Sequence, residues 1–568
     1  MRLAPRSLKL TAALLLLCLA AAGCIHLGNP LSESASPSSS DPAPTRSDPS
    51  NQSPAYQPYK EPVTLHVGFL IPDSKLPPGD SNDNNPISRY FEALTNIRVI
   101  HSWEAKGSDA YKQKVDFAIA SNDIPDAMVV DRNQLRTLVK NGMIQDLTET
   151  YKSYASELVR TIYDSTQGSA LRDATFGGKL YGLPNVALDA DSPSLLWVRE
   201  DWLEKLHLAP PKTMDDIERI AQAFTTQDPN GNGKNDTVGL TGFKGIVYGQ
   251  KPLSNGFDSI FHYYYAFPKN WIKNSDGSIV YGSITPQTKQ ALEKLADWYR
   301  RGLIDKNFAL YNEVEEPIIE NKTGMFFGPW WMPYYPLNFA VEKDTKAEWR
   351  AYAAPMDSAG TYVTHMAPAT DRYLVVKRGY PHPEAALKLL NAFTRLERNR
   401  DPNIAEVNKL KDYVTKTGVQ PRNLYPFDLL LDYSNSIEQR YLQVQKALNG
   451  DLRLAELDPD ALNVYRSMMA ERENPKKDID HWKVSTANQY GAGVLASTSM
   501  RRVHSVFHGS TPTMETKWAE LQKLENEAFL KIIIGDQPVS SFDDFVAKWR
   551  ELGGDRITKE VADAVNKP

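Results

Sequence analysis

The chain has 568 residues, with 70 acidic against 65 basic side chains and a formal net charge of −5. That mild acidity argues against a nucleic-acid partner, and the length is ample for two substantial hydrophobic cores. Both cysteines, Cys18 and Cys24, lie near the N-terminus, so the rest of the chain must be held together without a disulfide.

At the N-terminus Arg2, Arg6 and Lys9 precede an apolar run over 10–22 that is too short for a comfortable membrane span. The run ends in Ala21-Ala22-Gly23-Cys24, small residues before a cysteine. This predicts a leader over 1–23 and lipidation at Cys24; an ordinary secretory signal is the alternative. Such a chain would be anchored to the outer face of a bacterial cytoplasmic membrane. Losing the leader removes three basic residues and no acid, so the mature chain is more acidic. Residues 24–60 are rich in Ser and Pro with almost nothing to bury, which predicts a disordered tether.

The body then alternates. A strand is expected over 63–72, a helix carrying Ile87, Tyr90, Phe91 and Leu94, a strand over 97–103, a helix over 111–120, and a strand over 127–130 closed by Asp131. That order is the pattern of an α/β sheet covered by helices. Ligands of such sheets gather at the carboxyl ends of the strands, where the Asp83 loop and Asp131 fall. A second strand–helix unit follows in SLLWVREDWLEKLHL. Further on, HMAPATDRYLVVKRG (365–379) reads as extended, PEAALKLLNAFTRL as a helix, and the last 55 residues as two helices. In one of these, Met514, Trp518, Leu521, Leu524, Ala528 and Ile532 make an apolar stripe ended by Gly535.

DPNGNGKND, at 228–236, places oxygen groups at alternate positions: Asp228, Asn230, Asn232, the Lys234 carbonyl and Asp236. With Gly233 at the sharp-turn position, these match positions 1, 3, 5, 7 and 9 of a helix–loop calcium site. Position 12 is Gly239 and not Glu, so a sixth ligand would come from bidentate Asp236, Thr237, water or elsewhere. The loop follows a helix started by a Thr213–Asp216 capping box. A plain Asn/Gly turn is the competing reading.

GPWWMPYYP supplies Trp330, Trp331, Tyr334 and Tyr335 on a stretch that Pro329, Pro333 and Pro336 keep out of regular structure. Flat rings on a stiff loop suit the C–H faces of sugars. One Trp is expected in a cleft and the other packed. Trp271 is a further platform candidate, whereas Trp202 and Trp518 lie on helix faces and read as core. Asp83, Asp131 and Arg372 are candidate partners for hydroxyl groups; solvated charges or helix caps are the alternative. No GxSxG, HExxH or P-loop is present, and His504 with His508 lacks a third metal ligand.

In order along the chain, NDNNPISRYFEALTNIRV, ASNDIPDAMVV, GGKLYGLP, LLWVREDWLEKLHL, DPNGNGKND, YGSITPQTKQAL, GMFFGPWW, HPEAALKLLNAF and TPTMETKWAELQKLENEAFLKIIIG resemble the family 1 extracellular solute-binding lipoproteins of bacterial ABC importers. The likeness is greatest to the long Paenibacillus-type versions and extends to alginate-oligosaccharide binding proteins that hold calcium in such a loop. The resemblance implies a periplasmic-binding-protein-like (type II) clamshell with hinge crossings near 182–188, 365–373 and 415–425. Lobe I would comprise 61–185 plus about 366–420, and lobe II 186–365 plus about 421–568. It implies capture of an oligosaccharide and delivery to membrane permease subunits by a monomeric, non-enzymatic protein. A surface glycan-binding adhesin or sensor, or a carboxylate-dependent glycoside hydrolase, is the alternative.

Overall fold

The computed structural model describes residues 53–71, 76–248, 255–312, 314–419 and 421–566. The expected leader, Cys24 and most of the expected tether lie outside the described residues. The first half-sheet forms as the alternation predicts: β1 (Val63–Ile71), α1 (Pro86–Thr95), β2 (Ile97–Lys106), α2 (Ser108–Ala120), β3 (Ala127–Asp131) and α3 (Arg132–Lys140). β1 pairs in parallel with both β2 and β3. Gly68 is required in β1, because a Cβ there would sit 2.2 Å from the Trp103 ring. The chain then reaches a short strand, β4 (Leu183–Pro184), and leaves.

A second sheet is built from β5 (Leu195–Arg199), β6 (Val238–Leu240), β7 (Thr323–Gly328) and β8 (Trp349–Tyr352), in the order β8-β5-β7-β6. Its covering helices include α4 (Met214–Thr226), α5 (Asp258–Tyr263) and α6 (Pro286–Arg300). α4 starts on the capping box read from the sequence, with Thr213 Oγ1 accepting from the Asp216 N–H. The chain returns through β9 (Tyr362–Met366) to β10 (Arg372–Val376), which inserts antiparallel between β3 and β4 to complete a five-stranded sheet, β2-β1-β3-β10-β4. α7 (Glu384–Glu397) packs on that sheet. Later segments add α8 (Ser436–Leu448), β11 (Met500–His504), which pairs in parallel with β9, and the terminal helices α9 (Pro512–Ile534), α10 (Ser541–Trp549) and α11 (Asp555–Asn566). The final 55 residues therefore hold three helices instead of two. Gly553, at φ 122°, breaks α10 from α11.

Each sheet has its own apolar core. One contains Leu65, Val67, Val129, Leu374 and Leu387; the other contains Leu196, Phe224, Leu292, Phe327 and Phe529. Leu424, Tyr425, Phe427, Leu429 and Leu431 belong to the first core, while Ile437 belongs with the second sheet. The third passage thus falls after Leu431, later than the expected 415–425. Backbone bonds hold the three passages side by side. The N–H groups of Val186, Ala187 and Asp189 donate to the carbonyls of Leu430, Ala369 and Ser434 at 3.1, 2.9 and 2.7 Å.

The expected tether also ends earlier than residue 60. Lys388 Nζ, on α7, donates to the Pro54 and Gln57 carbonyls at 2.6 Å each, and Tyr59 Oη donates to Glu384. Ala55 is buried. Residues 53–59 are a strap on the first core, because Tyr56, Tyr59 and Ala55 supply the apolar surface that the Ser/Pro stretch before them lacks.

Candidate functional site

Strand direction decides what faces the passages. β3 ends at Asp131, directly opposite the first residue of β10, Arg372. β5 begins at Leu195, opposite Gly328 at the end of β7. Each sheet therefore turns one strand end toward the passages. The β3–α3 junction lies on one side, and the 329–336 loop after β7 lies on the other.

Beside the passages lies a cavity of about 470 Å³. From the first sheet's side it is lined by Arg132, Gln167 and Asp173. The passages contribute Asp189, Thr370 and Ser434, and β11 and the segment after it contribute His504 and His508. Arg132 ion-pairs with Asp173 and donates to the Thr370 carbonyl at 3.1 Å. Asp173 in turn accepts from the Tyr373 hydroxyl. Arg502 stands 3.5 Å from Asp189. Burial raises the Asp189 carboxyl, and Arg502 opposes that rise. Burial, helped by nearby Arg132, pulls the His508 imidazole down to about 4, so it is neutral near pH 7. Arginines and imidazoles beside carboxylates form a fringe of donors and acceptors suited to a polyhydroxyl solute. None of these residues except His504 and His508 stood out in the sequence. They are ordinary polar residues on separate segments, and only the passages bring them together.

The proline-rich loop divides its rings. Trp330 is 8% exposed, packs in the core and donates from Nε1 to Asp191 Oδ1 at 2.9 Å. That bond works against the upward push of burial on the Asp191 carboxyl. Trp331 is half-buried. Tyr335 is exposed and meets Phe339 edge-on, with ring centres 6.0 Å apart. Trp271 is not a platform: it is 2% exposed, lies beside Tyr281 and Trp518, and its backbone N–H donates to Ser505 Oγ. Its short strand pairs with 279–281, which turns the indole into the core. Trp202 is buried and Trp518 packs against that same core.

The charged candidates lie outside the cavity. Asp131 caps α3, accepting from the Gln134 N–H at 2.9 Å, and pairs with Lys112 at 2.7 Å. Arg372 pairs with Asp428. Asp83 and Glu104 both approach His101 Nδ1, at 2.7 and 2.9 Å.

The 228–236 loop closes on itself. Asp228 accepts from the N–H groups of Asn232 and Gly233, Asn232 Oδ1 accepts from the Lys234 N–H, and Asp236 accepts from the Asn230 and Asn232 amides. Those amide bonds hold the Asp236 carboxyl below its ordinary range. Gly231 and Gly233 take positive φ at 70° and 74°. Two carboxylates and two amides thus converge in an oxygen-rich set that fits a hard cation. Thr237 does not join it: its hydroxyl is buried and donates to the Phe224 carbonyl at 2.7 Å.

Two α/β lobes joined by hydrogen-bonded passages, with a polar cavity beside them, define a solute-binding clamshell. The chain belongs to the bacterial extracellular solute-binding proteins, whose family model matches residues 87–402. It is 22% identical over 88% of its length to Lipoprotein LipO of Bacillus subtilis (strain 168), covering 92% of that protein. It is 24% identical over 84% of its length to the polygalacturonan/rhamnogalacturonan-binding protein YtcQ of the same organism, covering 87% of it. Among solved structures, an EF-hand mutant of the Streptococcus pneumoniae substrate-binding protein FusA, in complex with fructo-nystose, superposes with a TM-score of 0.56 at 16% identity. That match covers 89% of this chain and 99% of FusA. Among the described residues no helix is long and apolar enough to cross a membrane.

Proposed function

We propose that this protein is anchored through Cys24 at the outer face of the cytoplasmic membrane, takes an oligosaccharide between its lobes, and delivers it to the permease of an ABC importer. The observation that carries this reading is the cavity beside the passages, to which both lobes contribute polar side chains. The described specificities of YtcQ and FusA support a sugar as the solute. No bond of the sugar is made or broken on this chain. Half-buried Trp331 and exposed Tyr335 of the proline-rich loop would extend the contact beyond the cavity. Asp83, Asp131 and Arg372 then serve as structural pairs outside the cavity. A structural Ca²⁺ is held by Asp228, Asn230, Asn232, the Lys234 carbonyl and Asp236, where it would tie the loop down by charge.

Calorimetry of the purified protein against galacturonan and fructan oligosaccharides tests the reading. One class should bind at a single site per chain and raise the melting temperature. Arg502→Gln with His504→Ala should weaken that binding at least tenfold. Full binding by the double variant would move the site elsewhere. The appearance of new reducing ends would make the protein a glycoside hydrolase.

A further inference from the structure

A second cluster lies in the second lobe. Asp258 and His262 stand four apart on α5, hence on one helical face, and His365 approaches from β9. One donor atom from each lies within 4.8 Å of the others. All three residues are at most 2% exposed. His262 Nε2 and His365 Nδ1 face each other at 3.1 Å, with the rings inclined at 62°. His262 packs on Phe267, and its Nδ1 is buried without a hydrogen-bond partner. The Asp258 carboxylate accepts from the Tyr248 N–H.

We propose that Asp258, His262 and His365 form a transition-metal site, best suited to Zn²⁺, at the root of the second passage. Without an ion the two ring nitrogens share a hydrogen bond, and loss of that one proton would leave both free to ligate a shared cation. Zinc–ligand bonds of about 2.0–2.1 Å in tetrahedral array place donor atoms about 3.3 Å apart, close to the spacing of the two ring nitrogens. Two imidazoles and a carboxylate are a donor set for zinc and its neighbours in the first transition row, whereas calcium takes oxygen alone. The site is therefore chemically distinct from the 228–236 loop. The ion's mechanical effect follows from position: it would join α5 to β9, and the chain continues from Met366 directly into the second passage. The proposal does not depend on the identity of the solute.

The test is metal uptake by the purified full chain, stripped of metal and dialysed against Zn²⁺ or Co²⁺ in calcium-containing buffer. One equivalent of zinc per chain is expected, with a raised melting temperature. Cobalt should give visible absorption bands of a tetrahedral, nitrogen-containing site. His365→Gln and Asp258→Asn should each lose at least nine-tenths of the zinc, whereas Asp236→Asn should keep it. Failure of the parent chain to retain zinc, or a cobalt spectrum of an all-oxygen site, overturns the proposal. So does undiminished uptake in both His365→Gln and Asp258→Asn. Because the parent chain alone can refute the site, a variant that fails to fold does not shelter it.

Discussion

Trp330 and Trp331 show how little sequence distance separates a core ring from a candidate binding ring. The loop turns between them, so Trp330 goes inward to Asp191 and Trp331 stays half-exposed. Their substitutions should separate. Trp331→Ala should weaken oligosaccharide binding about tenfold, the equivalent of roughly 1.4 kcal/mol of ring contact, with a small change in melting. Trp330→Ala should cost about 3–5 kcal/mol of stability, as large-to-small core changes do, and unpair Asp191. Titration calorimetry beside thermal melting reads both. Equal effects of the two changes on binding, with no difference in stability, would refute the division. The sequence made both rings visible but not their directions, which depend on a turn whose geometry no periodicity encodes. Trp271 was misread for a related reason. FPKNWIKN looks like a polar loop, yet a three-residue strand there pairs with 279–281 and carries the ring into the core.

At the scale of elements, the amphipathic helices and apolar strands were legible because burial imposes their periods. α4 starts on its expected capping box, and α7 lies close to where patterning places it. What failed was the assignment of segments without a period. Residues 53–59 look like more of the Ser/Pro stretch, yet they supply the carbonyls that Lys388 needs. Beginning the chain at residue 61 should therefore cost about 1–3 kcal/mol relative to beginning at 53, since a buried ammonium loses two acceptors. Urea unfolding of the two truncations measures the difference; equal midpoints would mean that the strap contributes nothing. The 228–236 loop makes a separate prediction. Saturating Ca²⁺ at about 100 times its dissociation constant should stabilise the fold by about 2.7 kcal/mol. Chelation should remove that gain, and Asp228→Asn should abolish the response. A melting curve indifferent to calcium would leave the segment as a turn.

For the whole molecule, the two sheets follow from strand–helix alternation, but the passages do not. They are short and irregular, and 424–431, which leads into the third, resembles any buried segment; only packing shows that it stays with the first core. The joint itself rests on Asn185. Its Oδ1 accepts from Thr370 Oγ1 and from the N–H groups of Asp371 and Arg372, at 2.8, 3.0 and 3.0 Å, while its Nδ2 donates to Asp371. One side chain thus pins the first passage to the second where both leave the sheet. Lobe closure by hinge motion needs passages that bend together. With the pin removed they would bend separately, and more conformational freedom would be lost on each closure. Asn185→Ala should therefore weaken solute binding several-fold through a less favourable entropy, with the cavity residues intact. Without solute, small-angle scattering should show a larger and more variable radius of gyration than in the parent, converging on the same value at saturation. If Asn185→Ala binds as tightly as the parent and scatters identically in both states, the passages are not the joint on which the lobes move.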